Sequence, residues 1–445
     1  MSGRVLDADV AIVGAGAAGL CLAHRLACPP PGLAPPGLVL LQAPEGPLRA
    51  PPRTWCFWEA GAGRFEEAVS ASWGRLRVHD PRGAATVARV APLRYKMIRS
   101  ADLEALVARE LAARPGAYAC EAAVHAVRDV PGGAEVHARA GDGSPLLVRA
   151  RWVFDSRPPR ELPAARTTLL QHFHGWFLRS RRPAFDPDTV ELMDFRAPPP
   201  PHGLAFGYVL PTGERTALAE YTVFSAARLP RSAYAHALRR YLREVLGLGE
   251  VLVTGEESGV IPMTDGRFAG RAGAAVFRIG TAGGATRPAT GYTFAAVQRQ
   301  TRALAAAVHA GRKPRLRAPH HARARVMDAV VLRALAAGRV EGAELFPRLF
   351  CRVPAERLLR FLDGRTTARE DLAVGLRMPL LPMLRTAAEL PRLPRRPPAG
   401  PWPPPAPADP PPADPPTANP PTADQLPADD LPAGPAPAAP GEGAP

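Results

Sequence analysis

Asp9-Val-Ala-Ile-Val13-Gly14-Ala-Gly16-Ala-Ala-Gly19-Leu20 is the stretch on which the reading of the whole chain turns. Four apolar residues, Val10 to Val13, run straight into three glycines spaced G-x-G-x-x-G. Gly14 permits a tight turn, Gly16 lets backbone approach a pyrophosphate, and Gly19 lets the following helix pack closely on the sheet. The spacing alone is weak evidence. Here an apolar strand precedes it, a helix to about Ala27 follows, and a second apolar run, Gly37-Leu-Val-Leu-Leu41, comes next, which together predict a dinucleotide site at a helix N-terminus. One position departs from the pattern. The acid expected about 20 residues on, at the end of the second strand, is replaced by Gln42, with Glu45 close behind. Gln42 can hydrogen-bond a ribose, but without charge assistance.

Outward from this unit, Ser100 to Ala113 is an amphipathic helix, and Arg149 to Phe154 is a strand ending in Asp155-Ser-Arg157. Residues 167 to 225 alternate as strands, Leu169 to Leu178, Thr189 to Phe195, Gly203 to Leu210 and Thr216 to Phe224, broken by Pro and Gly turns. A helix is expected from about Ser232 to Leu246. From Val276 the pattern returns to strand, glycine turn (Gly283-Gly284) and helix, Gly291 to Ala310. A chain that opens with one glycine turn and closes with another before a long helix has the layout of a flavoprotein, so FAD is expected rather than NAD.

The predicted fold class is therefore α/β: a Rossmann-like FAD-binding domain with an inserted, mostly antiparallel substrate-binding sheet and a C-terminal helical region. The expected divisions are 1–165 and 259–310 for the FAD-binding domain, 166–258 for the insertion, 311–395 for the helices and 396–445 for a disordered, proline-rich tail.

Composition supports the tail and narrows the function. From Pro401 to Pro445, 18 of 45 residues are proline, six are acidic and none is Lys or Arg, which leaves too little aliphatic content to bury a core. Removing that charge of −6 from the net +15 leaves +21 on residues 1–400. The basic body suits an anionic lipid surface, whereas nucleic-acid signatures are absent, so no nucleic-acid partner is expected. Every apolar run is broken by Arg or Pro before the roughly 18 to 20 residues a membrane-spanning helix needs. No basic and apolar leader precedes Asp9, and five cysteines without CxxC spacing support neither a disulfide framework nor zinc, so a cytoplasmic protein is expected. Nothing in the sequence specifies an oligomeric state.

The chain resembles the bacterial flavin-dependent lycopene cyclases, specifically lycopene β-cyclases, from about Asp9 to Leu390. The resemblance rests on DVAIVGAGAAGL (9–20), RTWCFW (53–58), YKMIRSADLEALV (95–107), VFDSRPP (153–159), QHFHGW (171–176), LMDFR (192–196), FGYVLP (206–211), LAEYTVFS (218–225), GVIPM (259–263) and GTAGGATRPATGYTF (280–294). It implies protonation of an end double bond of lycopene or another linear carotenoid, closure of a β-ring on the carbocation, and proton loss, with no net redox change. It further implies that reduced FAD is the active form and that NAD(P)H serves as reductant. A flavin monooxygenase or isoprenoid reductase of the same fold is the competing reading.

Protonating an alkene needs a neutral carboxylic acid in an apolar pocket. Glu220, on whose position the resemblance places the presumed acid, shares a strand face with Leu218 and Thr222. Asp194, in Met-Asp-Phe, is expected to orient Glu220 or share its proton if neighbouring strands pair. Asp155 and Arg157 are expected against the flavin or the sheet. Thr290, Gly291 and Tyr292 precede a helix whose dipole favours the charge of reduced flavin. Gly283-Gly284 stands where flavin hydroxylases usually carry an acid. Trp55, Phe57, Trp58, Trp176, Phe195, Phe206, Tyr208 and Tyr221 could line a polyene tunnel. His172 and His174 face the same way without a third ligand, so no metal is expected. A carotenoid dissolves in membranes, and the apolar, Arg-interleaved segments Met327 to Ala337 and Leu372 to Leu384 are expected to make peripheral membrane contact.

Overall fold

The computed structural model describes residues 4–398, 400–405, 407 and 409. β1 (Arg4–Val13) turns through the glycines into α1 (Ala17–Ala27), followed by β2 (Leu38–Gln42). Five short strands come next: β3 (Thr54–Ala60), β4 (Val69–Trp73), β5 (Arg75–His79), β6 (Ala85–Arg89) and β7 (Leu93–Arg99). Then come α2 (Ser100–Ala112) and the meander β8 (Ala117–Val130), β9 (Gly133–Ala140) and β10 (Pro145–Asp155). The second large unit holds β11 (Thr168–Ser180), β12 (Thr189–Asp194), β13 (Leu204–Pro211), β14 (Thr216–Ser225), α3 (Arg231–Arg240) and β15 (Val251–Thr264). The chain returns through β16 (Val276–Arg278) and α4 (Phe294–His309). It closes with α5 (Ala322–Ala336), α6 (Gly342–Arg352), α7 (Ala355–Leu362), α8 (Ala368–Gly375) and α9 (Leu380–Glu389).

The first sheet is parallel at its centre, β2-β1-β10-β16, with Val10 opposite Leu38, Val13 opposite Asp155 and Phe154 opposite Phe277. Val10 to Val13 are almost wholly buried, as a central parallel strand covered on both faces must be. Helices α1, α2 and α4 close one face over Ile12, Leu22, Leu26, Phe154 and Phe294. The meander closes the other: β8 starts parallel to β2, then leaves it to pair antiparallel with β9, enclosing Val13, Val39, Val136 and Val148. Each fully buried aliphatic side chain of this kind contributes about 1.5–3 kcal/mol.

The second sheet has seven strands in the order β15-β11-β14-β13-β12-β5-β6, antiparallel except where β12 runs parallel to β5. Its four predicted strands form within a residue or two of the expected bounds. The expected insertion limits, 166 and 258, do not coincide with the sheet: β5 and β6 join it from the first segment, and β15 runs on to Thr264. Edge pairing recruited them, since Leu76 and Val78 find an apolar face beside β12 that the first sheet does not offer. The helix predicted to Leu246 stays α-helical only to Arg240, and a π turn over Tyr241–Val245 follows, with Leu246 N–H donating to Tyr241 O.

The two faces of the seven-stranded sheet are covered differently. α3 and its π turn pack on one, over Trp176, Ala219, Tyr221 and Leu238. The other is covered by the small sheet β3-β7-β4 and by the C-terminal helices, over Tyr95, Met97, Leu210, Leu218 and Leu359. Trp73 Nε1 donates to Pro211 O at 2.8 Å, tying the small sheet to the large one.

The expected tail was to be disordered from residue 396. Instead Arg396 exchanges backbone hydrogen bonds with Ala165, Trp402 N–H donates to Arg160 O, and Pro404 O accepts from Arg228, because an extended backbone without internal hydrogen bonds leaves its N–H and C=O groups free for such partners. Residues 410–445 of that expectation lie outside the described residues.

Candidate active site

Gly14 lies at φ +96°, in the left-handed region, and a Cβ there would meet Ser156 Oγ at 2.7 Å. A Cβ on Gly19 would meet Gly14 O, the close approach that admits only glycine. Nothing lies within 4 Å of a Cβ on Gly16, which N-caps α1 without a side-chain cap and with no acid in the first turn. An uncapped helix N-terminus facing open space is a cradle for an anionic group such as a pyrophosphate. Ser156 Oγ donates to Val13 O and Gly14 O and so braces the turn. Asp155 and Arg157 form a two-pronged ion pair at 2.7 and 2.9 Å, and Arg157 also donates to Val124 O, so both brace the end of β10 against the meander.

Gln42 ends β2, as expected, and there it lies between Glu104 of α2 and Arg49, which bridges Glu104 and Glu121. The sequence reading missed Arg49 and Glu104, whose meeting depends on α2 docking beside β2. A cavity of about 620 Å³ lies elsewhere, at the start of β1 and β8 beside Arg4, Ala117 and Asp142. Open α/β sheets bind ligands at the opposite, carboxyl ends of their strands, where Gly14, Gln42 and Asp155 stand.

At the late turn, Gly284 adopts a left-handed conformation that caps the short helix Gly280–Gly283. A Cβ on Gly283 would meet Arg278 O at 2.4 Å. α4 begins at Phe294 rather than at Gly291, because Gly291 is also left-handed (φ +72°) and lies against Gln171 of β11. The turn thereby reaches the second sheet. Thr290 Oγ1 is buried without a hydrogen-bond partner among the described residues, and Tyr292 stacks edge-on with Trp58 at 4.8 Å. Arg287, 2% exposed, pairs with Asp328 of α5 at 2.7 Å, anchoring this loop to the C-terminal helices. Burial pushes the Asp328 carboxyl up to about 6 against the pull of that guanidinium.

Gln171, Phe173 and Gly175 share one face of β11, so the late turn lies about 13 Å along the strand from Gly175. Gly175 stands opposite Glu220 of β14 on one side and Glu257 of β15 on the other. With no side chain between them, the two carboxyl groups share the space above β11; a Cβ on Gly175 would sit 2.6 Å from Glu220 Cγ. Glu220 is 6% exposed and its carboxyl makes no hydrogen bond among the described residues. Burial, and then the Glu257 charge, hold it well above the usual carboxylate range.

Tyr208 stands opposite Glu220, and its hydroxyl bonds Tyr95 at 2.8 Å. Trp58 stacks on Tyr95 at 6.2 Å. Glu257 is also raised by burial, opposed by two hydrogen bonds from Thr54 and by the charges of Arg53 and Arg99. The sequence reading missed Glu257. Its signal is the alternation Gly255, Glu257, Gly259 on one strand face, disguised by the adjacent Glu256, which makes the pair look solvated.

Asp194 does not join this group. It pairs with Gly207, and Gly207 with Tyr221, which puts it on the α3 face, opposite Glu220. There Arg196 grips both its oxygens at 2.9 and 2.6 Å and Tyr241 donates at 2.9 Å. The expectation that Asp194 shares a proton with Glu220 is therefore corrected: strand pairing separated them by one residue of register. Among the described residues, His79, Glu191 and Asp194 bring ligand atoms within 4.8 Å of one another. Arg77 and Arg196 already neutralise the two carboxylates. Trp176 and Tyr221 also belong to the α3 face, while Trp58 and Tyr208 lie with Glu220 and Phe195 and Phe206 pack towards α6. His172, bonded to Ser225 and Tyr234, and His174, bonded to Ser258, are buried beneath α3, and burial lowers His172 to about 4.

Residues 9–388 match the model of the family described as lycopene cyclase protein. A search of curated proteins finds no match. The chain is similar to a flavoprotein/dehydrogenase from Cytophaga hutchinsonii at 12% identity and a TM-score of 0.56, covering 86% of this chain and 99% of that one. It is similar to a geranylgeranyl bacteriochlorophyll reductase-like protein from Thermoplasma acidophilum at 16% identity and 0.53, covering 87% and 97%. The p-nitrophenol 4-monooxygenase PnpA from Pseudomonas putida gives 12% and 0.51, covering 88% and 100%. At these identities the likeness bears on fold, and the fold is that of the flavoprotein oxidoreductases and hydroxylases.

Proposed function

Because the chain belongs to the lycopene cyclase family, we propose that it is a lycopene β-cyclase that converts the ψ-ends of lycopene to β-rings, an intramolecular lyase reaction without net redox change. The observation that carries this reading is Glu220, a buried carboxyl with no cationic partner in an aromatic chamber. An acid so placed is protonated when substrate arrives and can donate to an alkene, which general-acid catalysis speeds by about 10²- to 10⁴-fold. Tyr208, Tyr95 and Trp58 surround that chamber, and their ring faces can stabilise the carbocation. Their packing also keeps water, which would trap it, away from the reacting carbons.

FAD fits the residues present: Gly14, Gly16, Gly19 and the uncapped α1 would hold the pyrophosphate, Gln42 the ribose, and Gly283, Gly284, Thr290, Gly291 and Tyr292 the ring end. Reduced FAD, when bound, supplies negative charge near the cation, with NAD(P)H as its reductant. Asp155 and Arg157 act indirectly, by bracing the strand end beside the first turn.

No helix among the described residues is long and apolar enough to cross a membrane. Leu372, Leu376, Leu381 and Leu384 of the α8–α9 region are all exposed, Leu381 by 81%. With Arg369, Arg377 and Arg385 interleaved, this surface suits peripheral docking on an anionic bilayer, from which a carotenoid would enter.

The test is purified protein with pre-reduced flavin and lycopene in anionic vesicles. Many β-rings formed per NAD(P)H consumed is the expected result. Product in fixed proportion to NAD(P)H would instead establish a monooxygenase or reductase.

A further inference from the structure

Gly175 separates two buried carboxyl groups, and only one of them is provided with donors. Glu257 accepts from Thr54 N–H at 2.8 Å and from the Thr54 hydroxyl, and Arg53 and Arg99 lie close enough to favour its charged form. Both Thr54 donors sit on β3, in the small sheet that covers this face. Among the described residues, Glu220 has neither a hydrogen-bond partner nor a cation beside it. The groups facing it are Glu257 from β15, Cys56 from β3, Tyr95 from β7 and Tyr208 from β13; Tyr95 is buried, Cys56 and Tyr208 are half-buried, and desolvation raises the pKa of all three, which stay neutral. Glu257 therefore supplies the only negative charge that these elements place beside Glu220. Two carboxylates brought together in a dry site cannot both ionise cheaply, so the one with donors ionises and the other keeps the proton.

We propose that Glu220 and Glu257 form a carboxyl pair that holds a single proton over Gly175, with Glu257, anchored by Thr54, as the positioning residue that keeps Glu220 in its acid form. The proposal rests on the cyclase reading for its chemical use. In that use the Glu220 O–H bond breaks as a C–H bond forms at the alkene. The neighbouring double bond then supplies the electron pair of the new C–C bond. Last, a ring C–H bond breaks to leave the ring double bond. Donation leaves two anions side by side, so the pair recovers the proton that leaves the ring, and Glu220 is reset without an external acid. Protons and electrons balance within substrate and carboxyl pair.

The test reads the proton directly. Infrared spectra of the purified flavoprotein across pH 5 to 10 should contain a protonated-carboxyl C=O band that Glu220→Gln removes. In Glu257→Gln, loss of the neighbouring charge should move the midpoint of that band down by about one pH unit or more. Glu257→Asp, which keeps the charge, should leave it near the wild-type value. Thr54→Val keeps both carboxyls but loses one donor, so Glu257 spends more time neutral and the Glu220 midpoint moves down by a smaller step. That variant decides the matter if Glu257→Gln does not fold.

A midpoint unchanged in Glu257→Gln, or in Thr54→Val where the first is unfolded, overturns the pair. The band needs no carotenoid, so the two readings fail separately. Band midpoints that shift in the variants as stated, with wild-type protein that leaves lycopene unchanged, refute the cyclase and keep the pair. Protein that cyclises lycopene while the band stays fixed refutes the pair and keeps the cyclase.

Discussion

The two faces of the seven-stranded sheet both bury acidic side chains, and they surround them with opposite partners. Asp194, 0% exposed beneath α3, is gripped by Arg196 and Tyr241. Glu220, 6% exposed on the other face, has apolar and aromatic neighbours and a second acid. Burial is nearly equal, so burial does not distinguish a structural carboxylate from a proton donor. The partners do. The guanidinium of Arg196 pairs with the Asp194 carboxyl, whereas burial and the Glu257 charge hold Glu220 above the usual carboxylate range and favour its protonated form.

The sharpest way to break this contrast is to neutralise each acid in turn. Glu220→Gln is expected to lower cyclisation by about 10²- to 10⁴-fold while flavin content and folding survive. Asp194→Asn should leave turnover of the folded protein within about threefold, the small effect expected of a residue that supplies no general acid. Equal losses of turnover, measured side by side on lycopene-loaded vesicles, would erase the distinction.

The next effect is on stability and runs the other way. Asp194→Asn loses charge-assisted bonds to Arg196 and Tyr241, a cost of about 2–3 kcal/mol, discounted because Arg196 is partly exposed. Thermal or denaturant unfolding should detect it, with Glu220→Gln as stable as wild type or more so.

A third contrast lies in pH. The folded-state pKa of Glu220 is raised, so its contribution to stability is fully present at low pH and is lost as pH rises through the folded value. Wild-type protein should therefore lose stability relative to Glu220→Gln as pH increases, and cyclisation should fall over the same range. Melting curves of both proteins across pH 5 to 9 check the sign, and parallel curves would refute it.

The smallest effect belongs to the chamber wall. Tyr208→Phe removes the hydroxyl that bonds Tyr95 but keeps the ring, and should cost about 1 kcal/mol. Cyclisation should change little, because in the proposed reaction the ring face, which the variant keeps, would stabilise the carbocation.

Much of the architecture could be read from local pattern. The glycines of 14–19 require a turn between strand and helix whatever the rest of the chain does, and the Pro- and Gly-bounded alternation of 167–225 yields antiparallel strands close to their expected ends. The misses are non-local. β5 and β6 fall in a stretch for which the sequence predicted no element and take their place on the edge that β12 offers, and Arg49 meets Gln42 only because α2 and β8 bring Glu104 and Glu121 to the same corner.

The sequence by itself determined the glycine turns, the strands beside them, the four strands of 167–225 and the parity of each side chain along its own strand, because φ/ψ preference and period-two alternation are properties of neighbours in the chain. It placed Glu220 on a face with Leu218 and Thr222. Which residues look across at that face was decided by tertiary structure alone. The register of β11 between β14 and β15 sets Gly175 between Glu220 and Glu257, and the register of β12 on β13 turns Asp194 away. Register is a sum of many weak pairings along whole strands, and no short motif contains it.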